Sequence, residues 1–383
     1  MSTGPRPESF EGIFLATPDR PPAGVRLAVK DLFDTAELVT TYGSGIFHDH
    51  RPGATAEAVR RLERAGYGVV GKANLHEFAW GITSENPHFG TVPNPIAPGR
   101  IAGGSSGGCA AALAAGLADA ALGTDSGGSI RIPSACCGTV GFKPTYGLVP
   151  LAGCFPLAES YDHAGPMARD VGGCVAMMRA LVPGFEPASL DALDDVRVAV
   201  AWTDAAEALV RARVEAVAAL FPSQRRAALP WPDETRPLFA REAAAVHAER
   251  FAAHRDHYGS DVAAKIDQGL RVTDAQWRAA LRAREEYRER FAELMSTVDI
   301  LVTPTLPTVA PPLGLGDLAL RGSVTRFVYP FNVVGAPALA IPCGPAGHGL
   351  PASVQLVGAP GADALVLAVG EIVERRLAAS QPR

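Results

Sequence analysis

Two stretches rich in glycine and serine carry the residues best suited to chemistry. They are Gly103-Gly104-Ser105-Ser106-Gly107-Gly108 and Gly123-Thr124-Asp125-Ser126-Gly127-Gly128-Ser129-Ile130-Arg131-Ile132-Pro133. Ser105 and Ser129 stand 24 positions apart. Glycine lets the main chain approach a ligand closely and adopt backbone geometries closed to other residues. Successive N–H groups from Ser126 to Ser129 can therefore converge on one point, as donors that stabilise the oxyanion of a tetrahedral intermediate. One such stretch alone reads as a flexible turn. Two of them, the second followed at once by Arg-x-Pro, read as a site. A serine hydroxyl becomes a nucleophile only when a base takes its proton. Lys30 can be that base if it is neutral, and its ordinary pKa is ~10.4. A working value near ~7–8 corresponds to about 4 kcal/mol, and burial beside the glycine-rich loops is the available cause.

These residues need elements to hold them. Val25, Leu27 and Val29 alternate with Arg26, Ala28 and Lys30, a period-two pattern that predicts a strand with Lys30 at its C-terminal end. Residues 56–64 read as a short amphipathic helix and 67–70 as a strand, a βαβ beginning. Residues 85–104 read as a long Gly/Pro/Asn loop, 110–118 as an Ala-rich helix and 120–123 as a strand leading into the glycine-rich turn. The alternation predicts an α/β fold with a mostly parallel or mixed sheet. Residues from about 204 to 295 are rich in Ala, Arg and Glu, with helical spacing in 241–257 and 274–295. After Val298 the apolar segments DILVTPTLP, APALAIPCG and PASVQLVG return to a β-like pattern. The expected organisation is one domain over 1–383, with a core at 24–175, a helical insertion or cap at 204–295, and a return to the core at 298–370.

With 48% hydrophobic and 20% charged residues in 383, the chain can fill a buried core and is unlike a disordered one. Its formal charge of −5 argues against nucleic acid as a direct partner, and no polybasic stretch suits an anionic membrane. The start, MSTGPRPESFEGIF, has no signal-peptide pattern. Residues 327–347 carry no charge, but Pro330, Asn332, Pro337, Pro342 and Pro345 point to buried strands and turns rather than a spanning helix. The six cysteines form no CxxC pair and read as buried free thiols in a reducing cytoplasm. No metal or cofactor is expected.

Other patterns fail on their own terms. Residues 66–73, GYGVVGKA, end in Ala73 where a phosphate-binding loop needs Ser or Thr, and Lys72 reads as structural. Residues 103–107 match G-x-S-x-G, but that elbow needs a strand directly before it, and NPIAPGRIA precedes it here. His76-Glu77 would begin a zinc motif only if His stood at Trp80. Arg131 is a candidate for binding a substrate carboxylate or, equally, a structural partner of Asp125. Trp80, Phe155 and Tyr161 are candidates for an acyl pocket or for core packing.

Taken together, GGSSGG followed by GTDSGGSIRIP resembles the signature core of the amidase signature family. GVRLAVKD resembles that family's lysine strand, with Lys30 lying 75 positions before Ser105. The likeness continues through CGTVGFKPTYGLVP and DHAGPMARD, and returns in DILVTPTLPTVAPP, NVVGAPALAIPCG and GLPASVQLVG. It covers most of 24–175 and 298–370 and little of the middle. The resemblance implies a single large α/β/α domain with a mixed central sheet flanked by helices. It places the base on Lys30, the bridging serine on Ser105 after a cis peptide bond, and the nucleophile on Ser129. The oxyanion donors fall on the backbone of Ser126, Gly127, Gly128 and Ser129. The implied activity is hydrolysis of a small-molecule amide through an acyl-enzyme, without a cofactor. The alternative is an amidotransferase A-type subunit that frees ammonia from glutamine for a partner. An inactive relative would have lost Lys30, Ser105 or Ser129, and all three are present. Related members also cleave aryl amides, indole-3-acetamide, urea derivatives, carbamates and esters, and specificity sits in variable loops. Only 29 residues precede Lys30, so the helices usual ahead of the lysine strand are expected to be trimmed and the site more open. A homodimer is an open expectation.

Overall fold

The structure is a computed structural model and describes residues 11–379. Its strands are β1 (Phe14–Ala16), β2 (Val25–Lys30), β3 (Tyr67–Ala73), β4 (Glu85–Asn86), β5 (Gly90–Thr91), β6 (Ala120–Thr124), β7 (Val140–Lys143), β8 (Ala164–Ala168), β9 (Val198–Val200), β10 (Gln224–Arg226), β11 (Ile300–Pro304), β12 (Ala338–Pro345) and β13 (Pro351–Val357). Eleven of them form one sheet in the order β1-β3-β2-β6-β8-β7-β12-β13-β11-β9-β10, while β4 and β5 make a separate hairpin. The sheet is mixed. β2 runs parallel to β3 and β6, and β9 runs parallel to β10 and β11. The strands between, from β8 to β13, pair antiparallel.

Strands β6, β8 and β11 are buried along their whole length, so they are covered on both faces and read as continuous apolar runs rather than alternating ones. On one face lie α1 (Glu57–Arg64), α4 (Val171–Leu181), α5 (Ala208–Ala218) and α11 (Asp363–Ala379), sharing a core with Leu27 and Val29 of β2. Ala28 points the other way, toward α2 (Gly107–Ala114), as strand alternation requires. The helix α3 (Arg131–Cys137) also lies over the sheet, next to β7 and β12. The long helices α6 (Arg236–His254), α7 (Ser260–Leu270) and α8 (Asp274–Ser296) share a second core with Leu301 and Val357 of the sheet. Two short helices complete that side, α9 (Asp317–Thr325) and α10 (Pro330–Val333).

Local differences from the sequence reading have identifiable causes. Helix α2 begins at Gly107, three residues before the Ala-rich run, with its first glycine against the Ser84 side chain and its second against the backbone of Asn74. A Cβ on Gly108 would sit 2.4 Å from the Asn74 carbonyl oxygen. The 85–104 loop contains the β4–β5 hairpin, the 204–295 block contains β10 at the sheet edge, and the uncharged 327–347 segment contains α10 ahead of β12. All six cysteines are free thiols. Among the described residues no helix is long and apolar enough to cross a membrane.

Candidate active site

Lys30 ends β2 and Thr124 ends β6, its parallel neighbour, with Val29 opposite Leu122. Both side chains therefore emerge at the carboxyl edge of the sheet, where open α/β sheets bind ligands. Lys30 is fully buried. Its Nζ donates to Ser105 Oγ at 2.7 Å and to Thr124 Oγ1 at 2.6 Å. No carboxylate forms an ion pair with it among the described residues. Burial, which disfavours the charged form, brings its pKa down to about 8, against weaker opposing pulls from Cys109, Cys154, Asp125 and Asp162. An amine at that value is available as a base near neutral pH. Sequence reasoning missed Thr124, whose position at the end of a strand aligned with Lys30 becomes visible only through the pairing of the two strands.

Ser105 lies in the loop that leads into α2, and the peptide bond between Gly104 and Ser105 is cis. Ser84 Oγ donates to the Gly103 carbonyl at 2.8 Å, and the His76 N–H donates to the Ser105 carbonyl at 3.3 Å. Ser106 joins the two glycine-rich stretches. Its N–H donates to the Ser129 carbonyl at 3.2 Å and its hydroxyl to the Thr124 carbonyl at 3.2 Å. Ser129 lines a cavity of about 950 Å3 together with Gly127 and Trp80. Its hydroxyl forms no hydrogen bond with any described residue, Ser105 included. Such contacts are often open in an unliganded enzyme and tighten on substrate binding.

The turn before Ser129 is shaped by Asp125. Its carboxylate accepts from the N–H of Gly128 at 2.8 Å and of Ile130 at 3.1 Å, and from Asn332 Nδ2 at 2.8 Å. Burial alone would raise the Asp125 pKa. The Arg131 guanidinium, through charge and hydrogen bonds, more than offsets this and holds it below the usual carboxylate range. One expectation narrows and one open choice is decided here. The Gly128 N–H is already committed to Asp125, so the donors left without an acceptor among the described residues are those of Ser126, Gly127 and Ser129. Arg131 is fully buried and has no donor left for a substrate. Nε and Nη2 bond Asp125 at 3.0 and 2.8 Å, Nη2 also bonds Asn332 Oδ1 at 2.7 Å, and Nη1 bonds Gln355 Oε1 at 2.6 Å and the Val328 carbonyl at 2.9 Å. These five bonds exhaust a guanidinium. Gly128 has φ of +118°, and a Cβ there would lie 2.2 Å from Val328 Cγ2, so the turn requires glycine.

Replacing Arg131 would leave the Asp125 carboxylate buried without its counter-charge. Arg131→Met is expected to lower unfolding free energy by about 3–5 kcal/mol, read from the midpoint of a urea titration. A midpoint equal to wild type would show that the pair carries no net stabilisation.

Ser126 Oγ donates to Asp162 Oδ1 at 2.5 Å, and the same carboxylate accepts the N–H groups of Leu157 and Ala158. Burial raises the Asp162 pKa to about 6, although these hydrogen bonds oppose it. The three aromatic candidates separate. Trp80 lines the large cavity. Phe155 lines a smaller one of about 360 Å3 beside Thr124 and Ser126. Tyr161 lines neither. It is fully buried, with its ring stacked 5.8 Å from Tyr329 and the Arg284 guanidinium 4.6 Å over it. Tyr329, the ring it stacks on, does line the large cavity.

Lys72 is closed off in the core by Asp31 at 3.3 Å, Thr40 and the Phe33 carbonyl. Among the described residues, His76, Asp261 and Asp317 approach one another closely enough to hold an ion. Lys265 takes the place of that cation, with its ammonium 2.8 Å from Asp261 and 2.6 Å from Asp317.

Comparison with known proteins matches these features to a family. The model of the family described as Amidase matches residues 14–367. A glutamyl-tRNA(Gln) amidotransferase subunit of Chloroflexus aurantiacus is 32% identical over 92% of this chain and 82% of its own. AtzE, a 1-carboxybiuret hydrolase subunit of Pseudomonas sp. strain ADP, is 34% identical over 92% and 84%. A crystal structure of an amidase superposes with a TM-score of 0.84 at 37% identity, covering 92% of this chain and 84% of that one. With its signature stretch, its mixed sheet and a family match along most of its length, this chain belongs to the amidase signature family.

Proposed function

We propose that the protein hydrolyses a carboxylic amide C–N bond through an acyl-enzyme on Ser129, with Lys30 as base and Ser105 as proton relay. The observation that carries this reading is the buried Lys30 amine. It bonds two hydroxyls and no carboxylate, with its pKa brought down to about 8. A carboxylate partner would have kept it charged and useless as a base.

Neutral Lys30 accepts the Ser105 proton while Ser105 accepts the proton of Ser129, since a hydroxyl can donate and accept at once. Ser129 Oγ attacks the amide carbon. The oxyanion that forms is met by the uncommitted N–H groups of Ser126, Gly127 and Ser129, and each such donor is worth about 3 kcal/mol of barrier. The proton then returns through Ser105 to the leaving nitrogen, and ammonia or an amine departs. Water, activated along the same relay, hydrolyses the ester and frees the carboxylate. The six free cysteines suit a reducing compartment, and we place the reaction in the cytoplasm.

A second reading rests on the relatives named as subunits, one of an amidotransferase and one of a hydrolase. In it, this chain frees ammonia from glutamine and delivers it to a partner. The purified chain, given aliphatic, aromatic and indole amides and glutamine, separates the two. Turnover of simple amides, with an acyl adduct on the Ser129 peptide in mass spectra, is the expected result. Activity confined to glutamine in the presence of another chain would favour the second reading, and no adduct with any amide would remove the acyl-enzyme reading.

A further inference from the structure

The walls of the large cavity carry charge that the chemistry above does not use. Arg236, Lys265, Arg271, Arg321 and Arg326 line it against only two carboxylates, Asp233 and Asp317. Both carboxylates are engaged. Asp233 holds Arg236 at 2.9 Å, and Asp317 holds Lys265 at 2.6 Å while also accepting the Ile82 N–H at 2.6 Å. Arg326 lies over the Trp231 ring at 4.5 Å. Arg271 and Arg326 also form no hydrogen bond or ion pair with a described residue, but both are exposed, and Arg321 differs from them in its burial. It sits on α9, is partly buried, and its guanidinium forms no hydrogen bond or ion pair with any described residue.

An unpaired guanidinium withdrawn from water is costly, because its donors lose hydration without replacement. The position is felt electrostatically: burial pulls the Arg321 pKa down, and nearby Arg236 adds to that pull against Asp317 and Asp261. A carboxylate entering the cavity would meet the planar fork of donors that binds it in two-pronged fashion. Because Ser129 and Arg321 line the same cavity, one small molecule can touch both.

Building on the amidase reading, we infer that the substrate is an amide that also carries a carboxylate, and that Arg321 is the residue that seats it. Arg321 is thus a specificity-determining residue, and a neutral apolar amide of the same length binds poorly because it leaves the guanidinium desolvated.

The test separates binding from turnover. Glutaramate, a monoamide with a free carboxylate, and the neutral pentanamide are titrated by calorimetry into Ser129→Ala protein, with succinamate and adipamate to read the preferred length. Glutaramate is expected to bind about 10- to 100-fold more tightly than pentanamide, the range of a charge-assisted hydrogen bond. In Ser129→Ala/Arg321→Met that ratio falls toward one. Arg321→Lys in the same background retains part of it, which shows that the loss in the Met variant is not a folding failure. Equal binding of the charged and neutral amides, or a ratio untouched by Arg321→Met, overturns the inference. Turnover by the wild-type chain is measured separately on the same compounds. If the anionic amides bind as expected and none is hydrolysed, the amidase reading fails while the anion site stands.

Discussion

Ser129→Ala is expected to abolish amide turnover, with kcat falling on the order of 10^4- to 10^6-fold, as when a serine hydrolase loses its nucleophile. The argument is local. Ser129 lines the large cavity, beside backbone donors that have no acceptor among the described residues. Removing the hydroxyl takes away the atom proposed to form the ester and leaves the donors in place. Because the hydroxyl bonds no other described residue, nothing buried is left unsatisfied, and stability should change by less than about 0.5 kcal/mol. The measurement pairs a single-turnover assay with a search for the acyl adduct by mass spectrometry. Normal activity in the purified, folded variant would refute the assignment. Ser105→Ala removes the proposed relay between Lys30 and Ser129 while keeping both of those residues, so it should also slow turnover by orders of magnitude.

The second large effect concerns pH. The wild-type kcat/KM is expected to rise as pH rises through about 8 and then level off, because the proposed base, Lys30, acts only when neutral and burial brings its pKa down to about 8. In Lys30→Met the rate falls by orders of magnitude, and whatever remains should lack that rise. A profile in which the residual rate still climbs through about 8 would deny Lys30 the role of base. The same shift has a sign in stability. The folded pKa lies below the unfolded value of ~10.4, so between the two the unfolded chain binds more protons. Stability therefore increases with pH from about 8 to ~10.4, and below about 8 the full cost of about 3 kcal/mol is present. Denaturant midpoints across that range should climb for wild type and flatten in Lys30→Met.

Lys30 and the two serine loops were legible in the sequence for physical reasons. A strand covered differently on its two faces leaves alternation in the sequence, and a backbone that must turn sharply or approach a neighbour leaves glycine. The β2 strand shows the first at Leu27, Ala28 and Val29, and Gly128 shows the second. Thr124, Ser106 and Asp162 left no such mark, because a hydroxyl or carboxylate reveals its partner only when the strands and loops are assembled. Arg131 was ambiguous for the same cause. Asp125 lies six residues away, but Asn332 and Gln355 lie more than 200 residues away. Tyr161 was ambiguous because a buried aromatic looks the same in sequence whether it meets a ligand or another ring. Helix α2, buried on every side and built of small residues, has no amphipathic stripe to mark its start. The cavity roof, with Arg321, comes from α6, α7 and α9, and the helical part of it lies where the family motifs are thin.

The anchoring of Arg131 by Val328, Asn332 and Gln355 also orders events in time. A ribosome releases Lys30, Ser105 and Ser129 well before the segment that braces the nucleophile turn. The growing polypeptide thus holds the three candidate residues before the partners that anchor Arg131 have been made. The brace on Asp125 closes only after Gln355 has left the ribosome.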